Sequence, residues 1–525
     1  MSGLLHASLK SGKADSDPNL SSDHFVRACD ELHVHLALIL NAMFSSFSAP
    51  DSMLASVLVP IPKNRKKSLC DSSNYRSIAI SSIVGKVLDS VVMSKHRAAL
   101  QTSDLQYGFK PSHSTVQCTF VLNEVVDYYT SRQTPVFVTL LDASKAFDRV
   151  QYVKLFKLLL QRNMCPAMVK FLALSYIRQS LSVRWQNTTS TPFPCKNGIK
   201  QGAVLSPILF CAYMDALLER LSRLGVGCHI GHVFAGALSY ADDLTLLAPT
   251  RLAMNAMLRE CEAFARDYDV LFNSAKSQTV VFRAGYLRPS AMIEPFTLND
   301  QPIGVVKHAL HLGTYIGHRA GSLNIRKARS DITVSSIKLT GLFKHCSLDV
   351  KRTLFKAYCT SFYGSPLWNF GCNDVKELQS CFNKCIRIFF GLHPRTRSKY
   401  IPLLMNQLPL SLQLFCRFSV FLHNCLISTN KVTQLCANLS LNSSSTVNFN
   451  ISLLKDKYNV NNEFLIESSL KSLIRSDYYS QIDYDAIVSA HAISDLMHIR
   501  DGTFEIIPNL DSMSIVDMLT VICIA

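Results

Sequence analysis

Apolar positions along the chain follow helical spacing in some stretches and strand-like runs in others. Residues 1–24 are polar and turn-rich, and residues 25–48 then carry apolar positions at helical spacing. SVLVPIPK (56–63) is a short apolar run closed by prolines, which predicts a strand leading into a basic loop. The stretch 78–100 becomes helical, and 114–132 reads as an amphipathic helix with a Ser-Thr start.

PVFVTLLD (135–142) is β-branched and aromatic and ends in an acid, so it predicts a buried strand carrying a carboxylate at its C-terminal tip. Helices are expected at about 150–163 and 166–180, a strand at SVRW, and a long apolar helix at 204–224. HVFAGALSYADDLTLLAPT (232–250) has apolar runs around two adjacent acids, which predicts a hairpin with the acids at its turn. A helix (251–269), a strand (278–283) and further strands across 296–318 follow, and the pattern is helical from about 322 to 430. Residues 438–450 are rich in Ser and Asn and predict a linker, and the last 75 residues read as helical or mixed.

The composition narrows the classes available. The chain has 525 residues, 48% hydrophobic and 18% charged, so it can bury a large core and is neither disordered nor collagen-like. At about 150 residues per domain the length predicts three or four units. A formal charge of +16 points to a polyanionic partner. Lys63, Arg65, Lys66 and Lys67 form the densest basic cluster, which by itself fits a solvated loop or a localisation signal. No apolar run reaches about 18 residues, so no membrane-spanning helix or membrane partner is expected. No secretory leader is expected at the start. Seventeen cysteines are scattered without a CxxC pair, as expected of reduced, buried thiols in an intracellular protein, nuclear or cytoplasmic. Cys372, Cys381 and Cys385 come nearest to a metal-ligand spacing and are read as packing.

Three carboxylates stand out. Asp142 ends one apolar strand, and Asp242 and Asp243 sit between two others. Burying such groups is costly unless cations pair with them. Two divalent metals would supply that charge, activate an attacking hydroxyl and stabilise a leaving pyrophosphate. Oxygen ligands in small number suit Mg²⁺. Taken singly, Asp142 fits a helix N-cap and the Asp-Asp pair fits a hairpin turn.

YADD (240–243), DASKAFD (142–148), GIKQGAVLSPILF (198–210) and NYRSIAI (74–80) occur in an order and at a spacing that resemble those of reverse transcriptases. The subtype resembles the jockey-like non-LTR retrotransposons (long interspersed elements). LKSGKADSDPNLSSDHF (9–25), LQYGFKPSHSTVQ (105–117), NSAKSQTVVF (273–282), LGTYIG (312–317) and 365–392 are also similar to these elements, so the resemblance spans roughly residues 9–425. It implies an α+β right-hand polymerase with fingers, an antiparallel palm sheet backed by helices, and a helical thumb. The implied division is fingers with an N-terminal extension (1–134), palm (135–285), a primer-grip-like hairpin region (286–330), a thumb-like region (331–430) and a C-terminal region without an assigned role (431–525).

The resemblance further implies an RNA-directed DNA polymerase that adds dNTPs to a primer 3′-hydroxyl. Asp142, Asp242 and Asp243 would hold two Mg²⁺ ions, with Mn²⁺ as a substitute. Phe147 would be the aromatic gate that excludes a 2′-hydroxyl, and a core phenylalanine is its ordinary alternative. Gln201 and Gly202 would line the nascent base pair. Lys63 and Arg76, with Lys86 as a weaker candidate, would contact the triphosphate. Lys276 would protonate the leaving pyrophosphate, against an exposed loop lysine as alternative. Leu312 and Gly313 would form the primer grip. The partners implied are an RNA template, a DNA primer or target DNA, and dNTPs.

Ser77 stands where the family usually has proline, and ADSDPNL replaces a more glycine-rich stretch. An upstream endonuclease and a C-terminal zinc knuckle are expected of complete elements, so the chain reads as a truncated copy, a fragmentary gene product or a polymerase-only frame, with nicking activity needed from elsewhere. Two other readings stay open: a decayed or domesticated descendant that binds RNA or hybrid, and a metal-dependent phosphodiesterase using the same acids.

Overall fold

A computed structural model describes residues 9–283, 294–399, 401–459 and 470–480. Most of the predicted C-terminal stretch, and part of the region 286–330, lie outside the described residues. The chain divides into two compact units. The first comprises 1–115, 136–279 and 288–305, and the second 116–135, 280–287 and 306–525.

In the first unit, β1 (Ala55–Pro62) pairs antiparallel with β2 (Tyr75–Ser81). β3 is Val136–Asp142, and β4 (Ser180–Trp185) pairs parallel with β1. The predicted helix at 78–100 thus begins later than expected. Ile78–Ser81 belong to β2, and the helix starts at Ile83 with the Ser82 side chain accepting from Gly85 N–H. The β-branched run pairs with β1 before the cap allows a helix to start.

The second sheet carries the acids. β5 (Ala237–Tyr240), β6 (Asp243–Ala248), β7 (Gln278–Phe282) and β8 (Gly304–Val306) join β3 in the order β8–β7–β3–β6–β5. β3 and β6 are almost wholly apolar and buried, as strands covered on both faces should be. Helices Ser206–Arg223 and Arg251–Tyr268 pack on this sheet, and helices Tyr152–Gln161 and Pro166–Ile177 pack on each other. Phe210, Leu217, Leu246 and Phe264 are fully buried between these layers.

The described residues of the second unit are mainly helical from 320 onward. Helices Ala320–Phe343, Leu348–Cys359, Asn373–Phe390 and Leu410–Leu426 enclose a core that includes Phe355, Phe362, Trp368, Phe382 and Phe389. Cys359 and Cys385 pack in this core with Cys381 at its edge, and the described cysteines are free thiols, most of them buried. The hairpin β9 (His308–His311) and β10 (Thr314–Gly317) precedes these helices.

The predicted linker at 438–450 is not one. Helix Lys431–Ser440 and helix Thr446–Tyr458 leave only a short turn between them. Ser445 caps the second helix, accepting from Asn448 N–H, and the buried Asn450 donates to Trp368 C=O and accepts from Phe370 N–H. Ser and Asn here satisfy helix ends and buried backbone, which composition cannot tell from a solvated linker. Among the described residues no helix is long and apolar enough to cross a membrane.

Candidate active site

β3 and β6 run antiparallel with Asp142 directly opposite Asp243. Directly opposed residues place their side chains on one face, with Cα atoms about 4.5–5.5 Å apart. β6 also pairs with β5, Asp243 opposite Tyr240, so Ala241 and Asp242 form a two-residue turn. Ala241 is buried and left-handed, at φ 59°. That conformation costs a non-glycine residue energy and is found at hairpin turns and active sites.

The field at this turn is strongly negative. Loss of solvation pushes the Asp243 carboxyl up to about 6, with the charges of Asp242 and Asp142 adding to the shift. The Asp242 carboxyl is also raised, first by burial and then by Asp142, while its own backbone N–H and Arg76 oppose the rise. Carboxylates raised by burial and by a neighbour's charge are groups that a cation would stabilise. Lys276 Nζ lies 3.5 Å from Asp142 Oδ2, both side chains being solvent-accessible. Among the described residues no three His, Cys, Asp or Glu side chains enclose an ion by themselves. Mg²⁺ fits such an open set, because it binds through one or two carboxylates and keeps waters and substrate phosphates as its other ligands.

A polar scaffold holds the two acidic segments in place. Asp142 N–H donates to Ser277 Oγ at 3.3 Å, and Asp142 C=O accepts from Asn273 N–H at 2.9 Å. At the Asp-Asp turn the key group is Gln106, which is fully buried. Its Oε1 accepts from Ala241 N–H at 3.0 Å and from Gly108 N–H at 2.8 Å. Its Nε2 donates to Ser239 Oγ at 3.1 Å, and Ser239 Oγ donates to Ala241 C=O at 2.9 Å. A Cβ on Gly108 would lie 2.5 Å from Ala241 N, so only glycine allows this approach. Sequence reasoning singled out neither Gln106 nor Ser239. The signal was LQYG within 105–117, but nothing local says that its glutamine faces a hairpin 135 residues away.

The GIKQG loop is fixed to the first sheet. Gln201 C=O accepts from Ala79 N–H at 2.6 Å, and Gly202 has φ 113°. A Cβ there would lie 2.7 Å from Ala79 O. Behind the loop, Lys200 Nζ donates to Ser56 Oγ, and Asp89 accepts from Leu205 N–H. Burial raises the Asp89 carboxyl to about 6, against the opposing pull of Leu205 N–H and Lys200. Phe147 lies in a short 3-10 turn (Ala146–Arg149), its ring stacked on Phe210 with centroids 4.3 Å apart.

Arg76 is exposed on β2 and is close enough to act on the Asp242 charge. Lys63 follows β1, and its Nζ donates to Ser73 C=O at 2.9 Å. Lys86 instead donates to Ala14 C=O at 2.8 Å, beside Asp15, whose carboxylate accepts from Ile83 N–H. Lys86 thus ties the N-terminal segment to a helix. Leu312 and Gly313 are the two turn residues of the β9–β10 hairpin, both with positive φ. Tyr363 Oη donates to Leu312 C=O at 2.7 Å, and the Tyr363 ring lies 2.9 Å from where a Gly313 Cβ would be.

Residues 61–340 match the profile of the reverse transcriptase (RNA-dependent DNA polymerase) family. The chain is 26% identical over 242 residues to the Pol polyprotein of the type-2 retrotransposable element R2DM of Drosophila melanogaster. That match covers 46% of this chain and 23% of the R2DM protein. It is 24% identical over 379 residues to the probable RNA-directed DNA polymerase from transposon X-element of the same organism, covering 68% of this chain and 40% of that protein. The chain therefore spans well under half the length of these relatives. An apo telomerase structure from Candida tropicalis is similar at a TM-score of 0.35 and 12% identity, over 54% of this chain and 58% of that one.

Proposed function

Because the chain belongs to the reverse transcriptase family, of the non-LTR retrotransposon kind, we propose that it is an RNA-directed DNA polymerase that extends a primer 3′-hydroxyl with dNTPs. The observation that carries this reading is the direct pairing of Asp142 with Asp243, next to Asp242. Asp142, Asp242 and Asp243 would hold two Mg²⁺ ions, or Mn²⁺ in their place. When bound, such ions lower the pKa of the attacking hydroxyl and neutralise charge on the phosphates.

The protein's own residues do the rest. Arg76 and Lys63 bind the triphosphate, as cations opposite phosphates should. Gln201 and Gly202 let backbone approach the nascent base pair. Phe147, braced by Phe210, blocks a 2′-hydroxyl and so selects dNTP over NTP. Lys276 delivers a proton to the leaving pyrophosphate. Its position beside Asp142 supports a place at the reacting end of the site. The Leu312–Gly313 turn is the primer grip. Residues 1–134 provide the fingers, 135–285 the palm and 331–430 the thumb. RNA template and DNA primer or target are the polymeric partners. The protein works inside the cell, in nucleus or cytoplasm.

Primer extension on an RNA template with dNTPs and Mg²⁺ tests the reading, comparing the parent with Asp242→Ala and Asp142→Ala. Extension by the parent is expected, with loss of at least about a hundredfold in each variant. Tight hybrid binding without extension by the parent would leave only a binding protein.

A further inference from the structure

The outer end of the first sheet carries an aromatic surface that the polymerase chemistry does not use. Trp185 ends β4 and is 48% exposed. Its ring meets Tyr75, the first residue of β2, edge to face at 5.3 Å. β1 runs between the two strands and places Pro62 opposite Tyr75. Pro60 and Pro62 bring no N–H to the sheet, and the pairing of β1 with β4 stops at Leu58–Val183. Beyond that point Arg184 and Trp185 pair only with Thr189 and Thr188, which leaves the indole outside the packed core.

The loop beside these rings is basic. It joins β1 to β2 and carries Lys63, Arg65, Lys66 and Lys67, all exposed, without an acid before Asp71. Asp71 is exposed at the end of the loop, where it accepts from Ser73 N–H and Ser73 Oγ and its charge acts on Lys67 and Lys63. Tyr75 Oη donates to Leu69 C=O at 2.9 Å, which draws the loop against the aromatic pair. An exposed indole, an adjoining ring and a cluster of exposed cations, four against the single acid Asp71, are the parts of a stacking platform for unpaired nucleotides.

We propose that the Trp185–Tyr75 end of this sheet, with the loop at 63–69, binds single-stranded RNA by stacking bases on Trp185 and neutralising phosphates with Arg65, Lys66 and Lys67. Stacking and charge carry the single-stranded polyanion. The choice of RNA over DNA rests on the RNA template of the proposed function. A duplex buries its base faces and has none to offer the indole at this surface.

The chain has two tryptophans, and the other, Trp368, is buried at 1% exposure. Stacking at Trp185 is therefore visible directly as quenching of intrinsic fluorescence. The probe is a 20-nucleotide oligo(U) RNA, followed by fluorescence and by anisotropy of a labelled copy, with oligo(dT) and a blunt RNA–DNA hybrid as comparisons. The expected result is quenching by oligo(U) that Trp185→Phe reduces, because the remaining indole is buried. Trp185→Ala should weaken oligo(U) binding by about tenfold, with Trp185→Phe retaining most of the affinity. Changing Arg65, Lys66 and Lys67 to Gln should lower the salt slope of binding by about 0.7 for each phosphate no longer neutralised. Unchanged affinity in Trp185→Ala, or binding of oligo(U) with no quenching, would overturn the proposal. So would equal dependence of hybrid binding on Trp185. A preference for oligo(dT) over oligo(U) would overturn the choice of RNA. These readouts need no polymerase turnover. Trp185-dependent RNA binding without primer extension would refute the polymerase reading alone, and extension with Trp185-independent RNA binding would refute this one alone.

Discussion

Asp142 and Asp243 face each other as paired residues at the ends of neighbouring strands, with the charge of Asp242 adding to theirs. Antiparallel pairing does what chain proximity cannot: it brings a carboxylate from 135–142 against one from 232–250. The pair is electrostatically unfavourable without cations, and this sets how the protein should respond to pH and to metal.

The Asp243 carboxyl is raised to about 6 from an ordinary value of 3.8. A carboxyl raised on folding holds its proton longer in the folded state, so the folded form is favoured below the unfolded value and loses that advantage as pH rises through about 6. Without divalent metal, the melting temperature contributed by this site should therefore fall between pH 4 and pH 6. Asp243→Asn should flatten that slope, and Mg²⁺ should raise stability above pH 6 in the parent alone. Thermal melts at pH 4, 5, 6 and 7, with Mg²⁺ and with a chelator, measure both effects. An unchanged slope in Asp243→Asn would remove Asp243 as its source.

Gln106 acts on the site through the backbone it holds. Gln106→Leu leaves Ala241 N–H and Gly108 N–H without their buried acceptor, at a cost of about 1–3 kcal/mol. The expected outcome is a lower unfolding midpoint and a fall in kcat on the order of a hundredfold as the Asp-Asp turn drifts. The KM for dNTP should change little, because Gln106 is placed to touch backbone and not nucleotide. Gln106→Glu, protonated below its pKa, should recover part of kcat at low pH, which a purely structural loss would not. Steady-state primer extension across pH separates the two.

Gly202 tests the GIKQG loop. Its φ of 113° and the 2.7 Å approach to Ala79 O leave no room for a side chain. Gly202→Ala should move the loop off β2 and raise the KM for dNTP by about tenfold or more, with a stability loss of about 1–3 kcal/mol. An unchanged KM, measured by single-nucleotide incorporation, would remove the loop from the nucleotide site.

Phe147→Ala should relax sugar selection. The dNTP-over-NTP ratio should fall by about 10- to 100-fold, the scale of removing one steric barrier in a pocket. Competition between dATP and ATP in primer extension reads this ratio. Unchanged selectivity would return Phe147 to the role its stacking on Phe210 also permits, a ring that packs the start of a helix.

Local sequence was enough to predict the strands that carry the acids. An apolar β-branched run ending in Asp142, and two apolar runs around Asp242–Asp243, specify burial and a turn through side-chain periodicity alone. The order of YADD, DASKAFD and GIKQG likewise pointed to the family ahead of the tertiary structure. Periodicity also predicted the long helices, because a wide apolar stripe shows in any sequence window. It failed where a residue's partner is far along the chain. Gln106 reads as an ordinary polar residue until it meets the hairpin at 240–243. Ser445 and Asn450 read as linker until they cap a helix and hold Trp368, and Lys86, which reads equally as a weak triphosphate contact or a solvated helix lysine, gives no hint of its bond to Ala14 C=O. Composition and spacing report whether a side chain prefers water or core, and that preference fixed the elements and the acidic candidates. Which strands pair, in what register, and which buried amide holds the Asp-Asp turn depend on hydrogen bonds between distant segments, and only the tertiary structure decided them.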